Sequence, residues 1–432
     1  MRKIFQNAVA LAALGTAALC GSLGAAYADS ESVIYSFQGG SDGAFPVYAL
    51  NYAGGMLYGT TPQGGAGCGC GTLFTSTLGG VESVVYAFKG GKNGNFPAGE
   101  PLFVGGKLYG VTQYGGDASC NPGGCGTIYS VTPAGKHKLL YSFKGGSDGA
   151  FPIRALLDSS GDLYGVTQWG GGAGSCTYDT TIAGCGTVYK STLAGALSPV
   201  YAFGTATHDG IEPESPMRQI GSAFYGTTSD GGTPITGNYS LWGTVYQVTP
   251  AGAETVIYSF QGGSDGENPS ADIIKVGANY YGTTYYGGGK GCIVEGNASS
   301  GCGTVYKLTP PSTPTGAWTE KVIYAFTGGA DGGNPSSTLL EVGGKLYGTT
   351  FDGGTGPCSG TGTTGCGTVF QITTAGKETV LHSFADGSDG AYPGSRLIDI
   401  GGTLYGMTRN GGSGSTGVCA GQGCGTIYTI AP

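Results

Sequence analysis

The stretch Tyr258-Ser259-Phe260-Gln261-Gly262-Gly263-Ser264-Asp265-Gly266-Glu267-Asn268-Pro269 decides the fold, because near-copies of it recur seven times. Each copy opens on a strand core: Tyr35-Ser36-Phe37, Tyr86-Ala87-Phe88, Tyr141-Ser142-Phe143, Tyr201-Ala202-Phe203, Tyr258-Ser259-Phe260, Tyr324-Ala325-Phe326 and His382-Ser383-Phe384. Their first residues lie 51, 55, 60, 57, 66 and 58 apart. Strand-bearing repeats of this length close radially or stack, since one unit cannot bury its own apolar face.

Spacing inside the unit is nearly fixed. A proline follows the first aromatic by 11 residues (Pro46, Pro97, Pro152, Pro269, Pro335, Pro393), or by 12 in the fourth copy (Pro213). A Tyr-Gly pair follows each proline by 12 residues, at Tyr58, Tyr109, Tyr164, Tyr225, Tyr281, Tyr347 and Tyr405. A later Gly-Thr precedes the next aromatic core by 15 residues, or by 21 where Pro310 to Pro314 is inserted. Four short, alternating segments rich in Val, Ile, Thr and Tyr recur, separated by turns such as Gly105-Gly106-Lys107 and Ser160-Gly161-Asp162. Outside residues 1–28 no helical period is present.

Seven units of four antiparallel strands predict a seven-bladed β-propeller. A β-solenoid has shorter coils and needs no hairpin within each unit. We assign the segment after the proline to the innermost strand A, because it is short and its small residues suit a crowded axis. Tyr-Gly-Thr is then strand B, Gly-Thr-Val-Tyr strand C and Tyr-Ser-Phe the outer strand D. The array begins with a D strand, Val33 to Phe37, and ends with a C strand, Gly425 to Ile430. The N-terminal strand is therefore expected to complete the last blade and leave no free edge. If Tyr-Ser-Phe were innermost, each repeat would be its own blade.

The 432 residues include 91 glycines and 28 tyrosines. Glycine without a three-residue period excludes collagen, and the aromatic and β-branched runs exclude disorder. Residues 1–28 read as an export signal: Arg2 and Lys3, an apolar run from Ala8 to Leu19, and Ala26-Tyr27-Ala28 as the cleavage site. Residues 29–432 are then one propeller domain, secreted, extracellular or periplasmic, with no later span long enough for a membrane. Losing Arg2 and Lys3 leaves 17 basic against 27 acidic residues, a net charge of −10. Nucleic acid is excluded as a partner, because phosphate contacts need clustered Lys and Arg.

Length varies in one place, the B–C loop. From the Gly of Tyr-Gly to that of Gly-Thr the spacing runs 12, 16, 21, 17, 21, 19 and 19. Variation confined to one loop of a fixed frame suits recognition, and drift of surface loops is the bland alternative. Six of these loops carry a cysteine pair: Cys68 with Cys70, Cys120 with Cys125, Cys176 with Cys185, Cys292 with Cys302, Cys358 with Cys366, and Cys419 with Cys424. The second member always stands directly before Gly-Thr. In an exported chain, pairs within one loop read as disulfides. They do not read as metal sites, since their spacings differ and no histidine accompanies them. No Asp-x-Asp-x-Asp calcium loop occurs and no cofactor is expected. The fourth loop has Trp242 in place of the second cysteine, in a repeat that also carries His208, Glu212, Glu214 and Arg218.

Two sets of positions differ from blade to blade. At the end of strand B stand Gln113-Tyr114, Gln168-Trp169, Tyr285-Tyr286, Phe351-Asp352 and Arg409-Asn410. Aromatics beside amides and charges suit a polar ring-shaped ligand such as a sugar; shielding of loop bases is the structural alternative. At strand A stand Tyr48, Glu100, Arg154, Arg218, Asp272 and Arg396, expected to line the upper channel as mixed charges. Carboxylate pairs for hydrolysis can be drawn from Glu100 with Asp272 or Glu212 with Glu214, against simple pairing with the arginines. Nucleophilic catalysis has little support, since the chain carries only three histidines.

The recurring elements, for example Leu346 to Thr350, Gly365 to Phe370 and Tyr258 to Gly266, resemble the bacterial tandem-repeat family called GloVer repeats. The resemblance covers about Val33 to Ile430 and implies an exported propeller-like protein. It supplies no catalytic residues. The sequence is thus read as a monomeric binding module for extracellular polysaccharide or a cell-surface protein. The rival readings are a polysaccharide hydrolase or lyase and a structural envelope protein.

Overall fold

The computed structural model describes residues 31–432 apart from 117–118, 121–122, 179–180, 234–241, 290, 293–300, 314–315, 359–364 and 415, and apart from the side chains of 154–158. The expected export signal, residues 1–28, lies outside the described residues. The strands form seven antiparallel blades around an axis, in the order A-B-C-D from inside out. In blade 2 these are Asn95–Val104, Lys107–Tyr114, Thr127–Val131 and His137–Ser142. In the last blade, Thr403–Asn410 pairs with Thr426–Ile430, which pairs with the N-terminal strand Glu31–Ser36. The ring closes as the ends of the array required. Strand A is interrupted: in blade 6, Gly333–Pro335 and Leu340–Val342 pair with strand B, and the residues between them turn to the channel.

Each recurrent residue has a partner. The strand-C aromatic lies across the glycine of Tyr-Gly, as Tyr306 does on Gly282 and Phe370 on Gly348; a Cβ there would overlap the ring. Two threonines join strands B and C in every blade at 2.7–2.9 Å, from Thr61–Thr72 to Thr408–Thr426. The strand-B threonine also donates to the carbonyl two residues on, which fixes the end of that strand.

The glycine of Gly-Thr and the proline of the next blade make the inter-blade contact. Gly71, Gly126, Gly186, Gly243, Gly303, Gly367 and Gly425 have φ between +90° and +103°, and each lies against a proline Cδ of the following blade. The residue before that proline is itself at φ +55° to +61° in all seven blades: Phe45, Phe96, Phe151, Glu212, Asn268, Asn334 and Tyr392. Side chains avoid this region. Here its N–H donates to the carbonyl that ends the previous blade's loop, at 2.6–3.0 Å.

All six cysteine pairs form disulfides within their own loops, as their spacing suggested. Cys68 is bonded to Cys70, Cys120 to Cys125 and Cys176 to Cys185. Cys292 is bonded to Cys302, Cys358 to Cys366 and Cys419 to Cys424. The second member of each pair has a further part in the ring. The carbonyls of Cys70, Cys125, Cys185, Cys302, Cys366 and Cys424 are the ones that accept the N–H of the positive-φ residue in the next blade. Sulfurs of five pairs also pack under the next D–A turn, at Gly90, Gly145, Gly204, Gly328 and Gly39. In blade 6, Cys358 Sγ lies 3.6 Å from the Tyr392 hydroxyl. In blade 4 the Trp242 ring sits under Gly262, and its carbonyl accepts the Asn268 N–H.

The Asp-Gly turns are tied to the outer strand. Tyr35, Tyr141, Tyr201, Tyr258 and Tyr324 donate to Asp42, Asp148, Asp209, Asp265 and Asp331 at 2.7–3.0 Å. A glutamate from the next outer strand leans on four of these pairs, and burial followed by the nearby aspartate pushes it up: Glu82, Glu254 and Glu378 to about 7, Glu320 to about 8. At the second junction His137 opens strand D, rather than sitting in the turn before it, and stacks on Tyr86 at 4.6 Å.

Two tests follow from this packing. The hydroxyl of Tyr306 is buried without a partner, and phenylalanine holds the same place in blades 1 and 6. Tyr306→Phe is expected to leave stability unchanged or raise it by up to about 1 kcal/mol, whereas Gly282→Ala costs about 1–3 kcal/mol by overpacking; urea unfolding reads both. Secondly, the four glutamates hold protons more tightly in the ring than in the unfolded chain. Their contribution is full below the ordinary value of 4.5 and is lost as pH rises through about 7 to 8. His137, pushed down by burial, works the other way below pH 6.5, one group against four. The thermal midpoint is therefore expected to fall between about pH 5.5 and 8.5; a flat or rising profile contradicts this.

Candidate functional site

Five of the six strand-A residues meet at the axis. Val47, Tyr48, Glu100, Met217, Arg218, Asp272 and Arg396 surround an axial cavity of about 150 Å³. Strand A brings them inward because its unpaired middle faces the axis. The charges are paired. Arg396 donates to Glu100 at 2.6 Å, joining blade 7 to blade 2, and Arg218 to Asp272 at 3.2 Å, joining blades 4 and 5. Glu100 raises the Arg396 pKa first, and Asp272 adds to it. Asp272 is 4% exposed, and its Oδ1 has no partner among the described residues. The side chain of Arg154 lies outside the described residues. The four described charges form two ion pairs, so Glu100 and Asp272 each lie against an arginine.

The second set lies at the ends of strands B, on the face of the disulfide loops. Tyr114 contacts Phe96 and Phe151 at 5.9 and 5.4 Å between ring centroids. Phe151 meets Tyr178 at 5.0 Å, and Tyr178 meets Trp169 at 5.5 Å. These five rings form a continuous arc over blades 2 and 3, with Gln113 half-buried beside Tyr114. Gln168, the residue before Trp169 on the same strand, donates its Nε2 to Glu214 Oε1 at 2.8 Å. Beyond lies the acidic edge of blade 4. Burial, then the charges of Asp230 and Glu214, push Glu212 up to about 7. Burial raises Asp230 as well.

Across blades 5 to 7 a separate group forms. Tyr285 and Tyr286 meet edge to face at 4.7 Å, and Phe351 stacks on Tyr392 at 5.0 Å. Burial raises Tyr285, with Asp352 adding to it and the exposed Arg409 opposing. Burial holds Asp352 up to about 6. The residues expected at the strand-B ends therefore fall into two groups rather than one even ring.

Sequence reasoning missed Phe96, Phe151, Tyr392 and Tyr178. The first three had a signal: the residue before the repeat's proline is aromatic in four copies. Tyr178 had none, because it stands in a loop of variable length.

Fold and loops together define a seven-bladed propeller with disulfide-pinned loops on one face. The chain belongs to the Gloeobacter/Verrucomicrobia repeat family, which it matches over residues 23–178 and 175–420. No curated protein matches it in sequence. Among solved structures it is similar to the N-terminal domain of Nup159, at 8% identity and a TM-score of 0.45, covering 93% of this chain and 94% of that one. It is also similar to a PQQ-bound aldose sugar dehydrogenase from Streptomyces coelicolor, at 13% identity and 0.44, covering 79% and 96%. A Xanthomonas campestris gluconolactonase gives 12% identity and 0.36, covering 71% and 79%.

The cross-channel pair is testable. Both side chains are about three-quarters buried, so Arg396→Ala strands Glu100 in the channel and is expected to cost about 1–3 kcal/mol. Adding Glu100→Ala should recover part of that loss in chemical unfolding. Strict additivity would mean the two side chains are not coupled.

Proposed function

We propose that this chain is an exported binding propeller that takes a polar, ring-shaped ligand on the face of its disulfide loops, a glycan or another cell-surface polymer. The observation that carries the reading is the arc Phe96–Tyr114–Phe151–Tyr178–Trp169, with the Gln168–Glu214 pair held from the same strand end. A sugar ring has an apolar C–H face that packs on aromatics and hydroxyls that pair with amides and carboxylates. Tyr178, 36% exposed, offers the most accessible ring of the arc. Export after Ala28 belongs to the proposal, and six disulfides suit an oxidising compartment. The partner is then an extracellular polysaccharide or a cell-surface protein, met by a monomer.

A second reading, a polysaccharide hydrolase, is favoured by one observation. Glu212, held up to about 7 beside Glu214 and Asp230, stays partly protonated at neutral pH, as a general acid must.

Affinity electrophoresis of the oxidised protein through a panel of soluble polysaccharides tests both. Retardation by at least one polymer is expected, with Trp169→Ala and Tyr178→Ala each weakening it about tenfold. Undiminished retardation in both variants, or none with the parent protein, overturns the binding site. New reducing ends, lost in Glu212→Gln, would instead establish the hydrolase.

A further inference from the structure

Four of the seven blade junctions repeat one arrangement. In each, a tyrosine hydroxyl donates to the turn aspartate, and a glutamate of the next outer strand sits against that pair. These are Tyr35–Asp42–Glu82, Tyr201–Asp209–Glu254, Tyr258–Asp265–Glu320 and Tyr324–Asp331–Glu378. Two junctions lack the glutamate, with His137 or Leu197 opening the strand instead. At the seam, where the N-terminal strand completes the ring, the set is His382, Asp389 and Glu31.

Replacing tyrosine by histidine changes what the site can hold. The tyrosine hydroxyl brings a proton to the aspartate, and proton uptake by the glutamate relieves the crowding of two carboxyls. An imidazole nitrogen brings a lone pair instead. One ligand atom each from Glu31, His382 and Asp389 lies within 4.8 Å of the others, the one such group among the described residues. His382 is 6% exposed, and its ring stands edge-on to Phe384 at 4.6 Å, which fixes its orientation. Nε2 lies 3.0 Å from Asp389 Oδ1. The other aspartate oxygen accepts the Ala385 N–H at 2.6 Å and so is anchored. One buried imidazole with two carboxylates on a fixed frame is the donor set of a borderline first-row divalent ion; Ca²⁺ and Mg²⁺ prefer all-oxygen sites.

We propose that Glu31, His382 and Asp389 form a site for Zn²⁺ or Mn²⁺ that clasps the ring at its seam. Glu31 is the first residue of the N-terminal strand, whereas His382 lies on the outer strand of blade 6 and Asp389 in the turn that leaves it. An ion held by all three ties the beginning of the chain to blade 6. Because Glu31 reaches the other two only in the closed ring, the ion binds the folded state and stabilises it by mass action.

The exported, untagged protein, stripped with chelator and dialysed, is titrated with Zn²⁺, Mn²⁺, Ca²⁺ and Mg²⁺ while its thermal midpoint and bound metal are measured. A saturable rise in midpoint with Zn²⁺ or Mn²⁺, one bound ion per chain and no response to Ca²⁺ or Mg²⁺ are expected. His382→Tyr restores the residue of the other six repeats; it should fold and lose at least about tenfold in ion affinity. If that variant misfolds, Glu31→Gln serves with the same expected loss. No binding, or binding unchanged in the folded variant, overturns the proposal and leaves His382 as a hydrogen-bond partner of Asp389.

Discussion

The contact between the glycine of Gly-Thr and the proline of the next blade holds the ring together. A left-handed glycine exposes the side of its Cα where a Cβ would stand, and the neighbour's proline ring fills that space. The same proline follows a residue with positive φ, a conformation that costs on the order of 1–3 kcal/mol. That cost is offset by an N–H bond to the carbonyl at the foot of the previous loop. Blade order, the angle between blades and the anchoring of each loop thus depend on one local geometry used seven times. Any side chain in place of the glycine would push the blades apart.

This geometry separates what is fixed from what can vary. The B–C loops leave from a strand end held by a threonine hydroxyl and return to a carbonyl held by the next blade. Their length can change without moving either foot. Disulfides pack beneath the neighbouring turn in five blades and against Tyr392 in blade 6, and the Trp242 ring takes this place in the fourth. In the fourth blade a tryptophan ring thus fills the space that sulfur fills elsewhere. The acidic edge of this blade, Glu212, Glu214 and Asp230, is the part of the mouth that departs most from the repeat.

The positions that strain the backbone also supply side chains to the mouth. Phe96 and Phe151, ahead of their prolines, are members of the aromatic arc, and Tyr392 stacks on Phe351. Fold and aromatic arc share these residues. The arc is therefore pre-organised by the contact that builds the ring, not by the loops alone.

Much of this was legible in the sequence because a repeat compares itself with itself. Spacing of the Tyr-x-Phe, proline, Tyr-Gly and Gly-Thr elements determined blade number and the order of strands within a unit; the choice of innermost strand rested on small residues, and the closure between Glu31–Ser36 and Thr426–Ile430 decided it. Cysteine pairs confined to single loops determined their own connectivity. That the second cysteine of each pair also offers its carbonyl to the next blade was not legible, because a backbone contact leaves no side-chain signature. The tertiary structure alone decided which blades meet. Arg396 reaches Glu100 from 296 residues away, and Gln168 reaches Glu214 in the next blade, because ring radius and blade twist set those distances. It also decided that the strand-B ends form two groups and that His382 faces Glu31. A period in sequence encodes what each unit does with itself and its neighbour; contacts across an axis or a seam exist only once the ring has closed.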